Sequence, residues 1–148
     1  MKTLHSELGV GARAEIVWEV LTDLTGWERW NPVMRVRGRL VQGERLNVVI
    51  MPPGGKQVQI EPAVTQLDAG RELRWRAHVM LPVILGIEQG FRVVAEDVGR
   101  CRLEQFAVFR GLLAEAVLWR SRKPIETGMQ AMNRMLKREA ERIGRERA

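Results

Sequence analysis

The sequence predicts an α+β fold: a curved antiparallel sheet of about six to seven strands wrapped around one long C-terminal helix, with two short helices after the first strand. Three observations carry this expectation. Apolar residues between positions 33 and 109 recur at every second place, the period of half-buried strands. From Ile125 to Ile143 they recur at intervals of three and four, the period of an amphipathic helix. Between the first strand and the sheet lies GWERWNP (26–32), in which two tryptophans three residues apart run directly into Asn31-Pro32.

Residues 3–10 read as the first strand. From Ala12 to Leu21, Ile16, Val17, Val20 and Leu21 share one face of a helix. Gly26 interrupts it, Trp27-Glu28-Arg29-Trp30 adds one further turn, and Pro32 stops it, because the residue before a proline is pushed towards extended geometry. Met34, Val36, Gly38 and Leu40 then alternate with Arg35, Arg37 and Arg39. Leu46, Val48 and Ile50 form the next strand, and PPGGK (52–56) is a hairpin loop. Val58, Ile60, Pro62 and Val64 read as a single strand, turned at Asp68-Ala69-Gly70. Leu73, Trp75, Ala77 and Val79 alternate with Arg74, Arg76 and His78; Ile87, Gln89, Phe91, Val93 and Ala95 follow; and Cys101, Leu103, Gln105, Ala107 and Phe109 share the inner face of the last strand. The final helix carries Met129, Met132, Leu136 and Ala140 on its apolar stripe, with Pro124 in its first turn or inside a longer helix beginning near Leu113. Roughly 20 such residues would span about 30 Å.

Composition narrows the function classes. The 148 residues suit one domain, 1–148, and their 45% apolar and 28% charged content is that of an ordinary globular protein. No apolar run is long enough for a membrane-spanning helix, and MKTLHSELGV lacks the apolar core of a signal peptide, so a cytoplasmic location is expected. One cysteine and two histidines supply neither an internal disulfide nor a Cys/His zinc site, and no metal or other cofactor is expected. Cys101, on a strand, reads as a small buried thiol. The net charge of +6 reads as solvated, arginine-rich strand and helix faces. Nucleic acid is not an expected partner, since no aromatics interleave with the basic residues. His5, His78, Glu88, Glu96 and Glu104 fall on outward parity, and there is no catalytic triad or phosphate loop.

The segment AEIVWEVLTDLTGWERWNP (14–32), supported by Glu72-Leu73-Arg74-Trp75, Phe109-Arg110-Gly111, Met132-Asn133 and Leu136-Lys137, resembles the superfamily that unites START lipid-transfer domains, pollen-allergen-like proteins and bacterial polyketide cyclase/dehydrase-like proteins. The resemblance covers nearly the whole chain and implies the helix-grip fold. It also implies a mostly apolar cavity between sheet and C-terminal helix, able to hold a lipid, polyketide or isoprenoid. It implies no single reaction, because the fold hosts carriers and enzymes alike. Bacterial relatives often have a histidine where Gln89 stands here.

Nine residues are candidates for ligand contact. Trp27 and Trp30 either stack on a ligand or plug the corner between short helices and sheet. Trp75, Phe91 and Phe109 point inward on alternation. Gln89 and Gln105 also face inward, where an unpaired amide costs about 1–3 kcal/mol; they pair with each other, pair with water, or orient a polar ligand atom. Met129 and Met132 line the helix side with adaptable thioethers. The apolar connection MLPVILG (80–86) is left open as a lid, a subunit contact or a membrane contact. The expected function is binding or carriage of a hydrophobic small molecule; the alternative is a cyclase/dehydratase-like enzyme that works by positioning its substrate. Oligomeric state and ligand identity stay open.

Overall fold

The computed structural model describes residues 1–148. Strand β1 (Lys2–Val10) is followed by helix α1 (Ala14–Thr22), a single 3-10 turn at Leu24–Gly26 and the short helix α2 (Trp27–Trp30). Strands β2 (Met34–Arg37), β3 (Asn47–Ile50), β4 (Val58–Ile60), β5 (Ala63–Asp68), β6 (Glu72–Val79), β7 (Leu85–Asp97) and β8 (Arg100–Arg110) come next, and helix α3 (Ala114–Arg147) ends the chain. All pairings are antiparallel.

The strands form two sheets, of order β1-β8-β7-β6-β5 and β2-β3-β4. The break falls inside the segment that alternation reads as one strand. Pro62 has no N–H to give a ladder and disfavours further pairing at Glu61, so β4 ends at Ile60 and β5 begins at Ala63. That raises the strand count to eight. The sheets remain stitched at the break: Leu46 N–H donates to the Pro62 carbonyl at 2.8 Å, and Val64 N–H donates to Glu44 at 2.9 Å. Together they make one curved surface around α3.

The helix is longer than its apolar stripe suggests. It has 34 residues, about 50 Å, and Pro124 lies in its interior rather than its first turn. There it removes the bond that residue 124 would make to the Arg120 carbonyl. Packing against the sheet holds the first ten residues in helical form: Ala114 and Leu118 join Leu4, Leu85 and Phe109 in one buried cluster. A larger cluster fills the other end, where Val17, Leu21, Trp27, Leu73, Leu103 and Leu136 meet.

The outer face of the large sheet is not a solvated arginine surface. Glu72, Glu88 and Glu104 stand on the outward parity but are buried, Glu88 to 6% exposure, beneath arginine side chains. The register explains this, because it sets Glu72, Arg92 and Glu104 side by side on β6, β7 and β8. Arg92 donates to Glu72 at 2.8 Å and to Glu104 at 3.0 Å; Arg74 bonds Glu72 and Arg76 bonds Glu88. In the neighbouring row Gly90 lies between Arg74 and Phe106. The Phe106 ring lies over Gly90, and the guanidinium carbons of Arg74 and Arg92 sit 4.9 and 5.3 Å from its centroid. Alternating arginines therefore mark an ion-pair lattice closed over an aromatic ring.

Candidate ligand cavity

A cavity of about 410 Å³ lies between the two sheets and α3, drawing its lining from both buried clusters. That size is in the range of small-molecule sites, roughly 300–1,000 Å³. Trp75, Ala77, Ile87, Gln89, Ala107 and Phe109 of the large sheet form one wall. Met34, Ile50 and Ile60 of the small sheet form a second, with Pro52 and Lys56 of the hairpin loop at its edge. Val117, Pro124, Ile125, Met129 and Met132 of α3 close the third. Strand alternation supplies the first two walls, since each of their strand side chains stands on the inner parity of its strand. The third follows from helical spacing.

Polar groups are few. Gln89 is half-buried within the lining, Ser121 stands on α3, and Lys56 is exposed at the rim. Trp75 is opposite Gln89 across β6 and β7, and its indole N–H donates to Gln89 Oε1 at 3.1 Å. An indole nitrogen can only donate, so the amide orientation follows. The Gln89 oxygen is occupied, and its NH2 group has no protein partner on a residue that lines the cavity. The site therefore offers a hydrogen-bond donor on an otherwise apolar wall.

Behind Trp75 lies an aromatic stack. Trp27 is fully buried, its ring centroid 6.0 Å from Trp75, 6.0 Å from Phe91 and 5.4 Å from Trp30. Its indole N–H donates to the Leu21 carbonyl at 3.0 Å, tying α2 to the end of α1. Asn31 Oδ1 accepts from the N–H groups of Val33 and Met34, both at 2.9 Å, and so turns the chain out of α2 into β2.

Of the nine candidate residues, five come together on the cavity: Trp75, Gln89, Phe109, Met129 and Met132. Four do not line it. Trp27 and Phe91 sit one layer behind Trp75, and Trp30 packs on Trp27. Gln105 is completely buried further along β8, its Nε2 donating weakly to Met132 Sδ at 3.8 Å and its Oε1 without a partner. Gln89 and Gln105 do not pair with each other, because the register sets Gln89 against Ala107 and Gln105 against Phe91. The small-sheet wall and the helix before Pro124 were not among the candidates. Inward parity of Met34, Ile50 and Ile60 carries the first signal; Ala114, Val117 and Leu118, at spacings of three and four, carry the second on the longer of the two helix readings.

Ionisable groups stay off the cavity wall apart from Lys56. His5 and His78 are exposed on the outer face. His5, Glu7 and Glu104 approach one another there, but Glu104 is engaged by Arg92 and Arg102, and Arg102 also reaches Glu7 at 3.5 Å. Burial, with Glu96 and Glu15 nearby, pushes the Cys101 thiol up to about 11, so it is protonated at neutral pH.

The fold and cavity define a helix-grip ligand-binding domain. The chain matches the family described as "Polyketide cyclase / dehydrase and lipid transport" over residues 1–141, and it belongs to that family. No curated protein matches it. Among solved structures it is similar to an aromatase/cyclase, Zhui, from Streptomyces (22% identity, TM-score 0.73, covering 95% of this chain and 94% of that one). A START superfamily protein from Mycobacterium smegmatis is similar at 16% identity and TM-score 0.72, over 95% of this chain and 98% of that one. The di-domain aromatase/cyclase BexL matches at 13% identity and TM-score 0.72 over 93% of this chain, which spans 47% of BexL's length. At these identities the likeness is one of fold.

Proposed function

We propose that this domain binds and carries a hydrophobic small molecule of the lipid, polyketide or isoprenoid type in the cavity between its sheets and α3. The carrying observation is an apolar enclosure of about 410 Å³ whose inner wall presents the Gln89 NH2 group, oriented by Trp75. Such a wall favours a ligand with an oxygen acceptor, such as a carbonyl, set in a hydrocarbon frame. Met129 and Met132 adapt the helix side to the ligand's shape, and Phe109 supplies a flat apolar contact. Trp27 and Phe91 hold the Trp75 ring in place, and Trp30 backs Trp27.

The test is a titration with a fluorescent polyene fatty acid, alongside native mass spectrometry of the purified protein. Gln89→Leu removes the donor and keeps the apolar wall, so it weakens the acid about fivefold, the worth of one hydrogen bond of about 1 kcal/mol. It leaves a polyene hydrocarbon unaffected. Ile125→Trp fills the helix side and abolishes binding of both. Wild-type affinity in both variants places the ligand elsewhere and overturns the proposal.

A second reading, a cyclase or dehydratase acting by positioning, draws support from the family. With no carboxylate or imidazole on the wall, catalysis would rest on holding a reactive chain in a folded pose. Recovery of a bound poly-β-ketone unchanged in mass and absorbance supports carriage; accelerated ring closure supports the enzyme.

A further inference from the structure

We infer that the loops 80–84 and 111–113, together with Trp119 of α3, form a docking surface for an anionic lipid bilayer. Six large apolar side chains stand in solvent there: Met80, Leu81, Val83, Leu112, Leu113 and Trp119, with Trp119 87% and Met80 77% exposed. They belong to one patch because the loops are joined. Leu112 N–H donates to the Val83 carbonyl and Leu113 N–H to that of Ile84, both at 3.0 Å. Gly111 makes the approach possible: its φ is +102°, and a Cβ there would stand 2.6 Å from the Ile84 carbonyl oxygen. Trp119 stands exposed on the second turn of α3, beside Lys2 and Glu115.

Two further features set this patch apart from scattered surface apolars. Met80 is the chain's one non-glycine residue with positive φ, +65°, a strained conformation that holds an apolar side chain outward. The patch also adjoins the cavity mouth. Val79, next to Met80, lines the cavity, as does Val117, one turn after Leu113.

Charge selects the occupant. Arg110 directly precedes the 111–113 loop, Arg120 and Lys123 follow Trp119 on α3, and Lys56 stands at the mouth; none pairs with a carboxylate, whereas Glu115 and Glu126 of the same helix are taken by Lys2 and Arg122. Exposed apolar side chains accompanied by unpaired cations match the boundary of a membrane rich in acidic headgroups. A second copy of the chain fits poorly, because a two-fold interface would bring both sets of cations together. The docked mouth would face the bilayer, giving a hydrophobic ligand a path that avoids water. The docking inference goes beyond the ligand reading, and vesicle binding and ligand binding can fail separately.

The experiment mixes the purified full chain with vesicles of phosphatidylcholine, with and without about one-quarter phosphatidylglycerol, and reads both co-sedimentation and tryptophan emission. Trp27, Trp30 and Trp75 are buried, so a blue shift absent from Trp119→Phe reports Trp119 entering the interface. The expected result is a blue shift with the acidic vesicles and partitioning about tenfold stronger than to phosphatidylcholine alone, weakened by salt. Met80→Ser/Leu81→Ser/Leu112→Ser lowers partitioning about tenfold with unchanged circular dichroism and ligand titration, since these side chains are exposed. Arg110→Glu/Arg120→Glu/Lys123→Glu removes the preference for the acidic lipid. Equal partitioning of wild type and the serine variant overturns the inference. So does a wild-type dimer in light scattering that the serine variant converts to monomer while vesicles leave Trp119 unmoved; the patch is then a subunit interface.

Discussion

Gln105 and Gln89 stand two β8–β7 rows apart in the same inner sheet face, and their environments separate their roles. Gln89 has its oxygen bonded and its nitrogen on the cavity; Gln105 is enclosed, with an unpartnered oxygen and a single weak contact to sulfur. Gln105→Met keeps the unbranched shape and removes the orphaned acceptor. It should raise the unfolding free energy by about 1 kcal/mol in a urea titration. A lower midpoint would mean that a buried water or a ligand atom satisfies the amide. Alternation placed both amides inside, but it is silent on partners. Those depend on whether the residue opposite is Trp75, which donates, or Phe91, which cannot.

Among the elements, β7 is held by a strand on each side, β6 and β8. Gly90 faces outward under Phe106, and a Cβ there would fall 2.1 Å from the ring's Cζ. The ring cannot simply swing aside, because Arg74 and Arg92 pack on it. Gly90→Ala should therefore cost about 1–3 kcal/mol in chemical denaturation, with much of the loss recovered in Gly90→Ala/Phe106→Ala. Full stability of the single variant would show that the ring has no fixed seat. At the level of elements, β1, α1, α2 and β8 were legible within a residue or two, because each repeats one period between clear stops. The break at Pro62 was not, and the helix before Pro124 was one of two readings that only the structure separated. The first hides inside a run whose alternation continues through it, and the second lacks a strong apolar stripe of its own.

For the whole molecule, the outer lattice couples stability to acid. Burial alone raises the carboxyls of Glu72 and Glu104, but hydrogen bonds from Arg92 and Arg74 to Glu72, and from Arg102 and Arg92 to Glu104, outweigh it and hold both below their ordinary value. The folded state then binds these protons less readily than the unfolded chain. Its contribution is complete above the unfolded glutamate pKa of about 4.3 and is lost as pH falls through the lower folded values. The urea midpoint should be flat with respect to these groups down to about pH 5 and fall below about 4.3. Glu72→Gln/Glu104→Gln should show a lower midpoint at neutral pH and a shallower acid slope. An unchanged slope would mean that other carboxylates govern acid unfolding.

What the sequence determined by itself is the set of local periods and their stops: half-buried strands, a long amphipathic helix, and a tryptophan corner closed by Asn31 and Pro32. These depend on neighbours along the chain, so a single strand of text contains them. Tertiary structure decided what those periods face. It sorted the inward aromatics into Trp75 and Phe109 on the cavity and Trp27, Trp30 and Phe91 behind it. It turned the outward arginines into a lattice over buried glutamates, and it gathered the exposed apolar side chains of two loops beside the cavity mouth. Parity assigns a side chain to one face of a sheet; only the register between strands and the seat of α3 decide what that face meets.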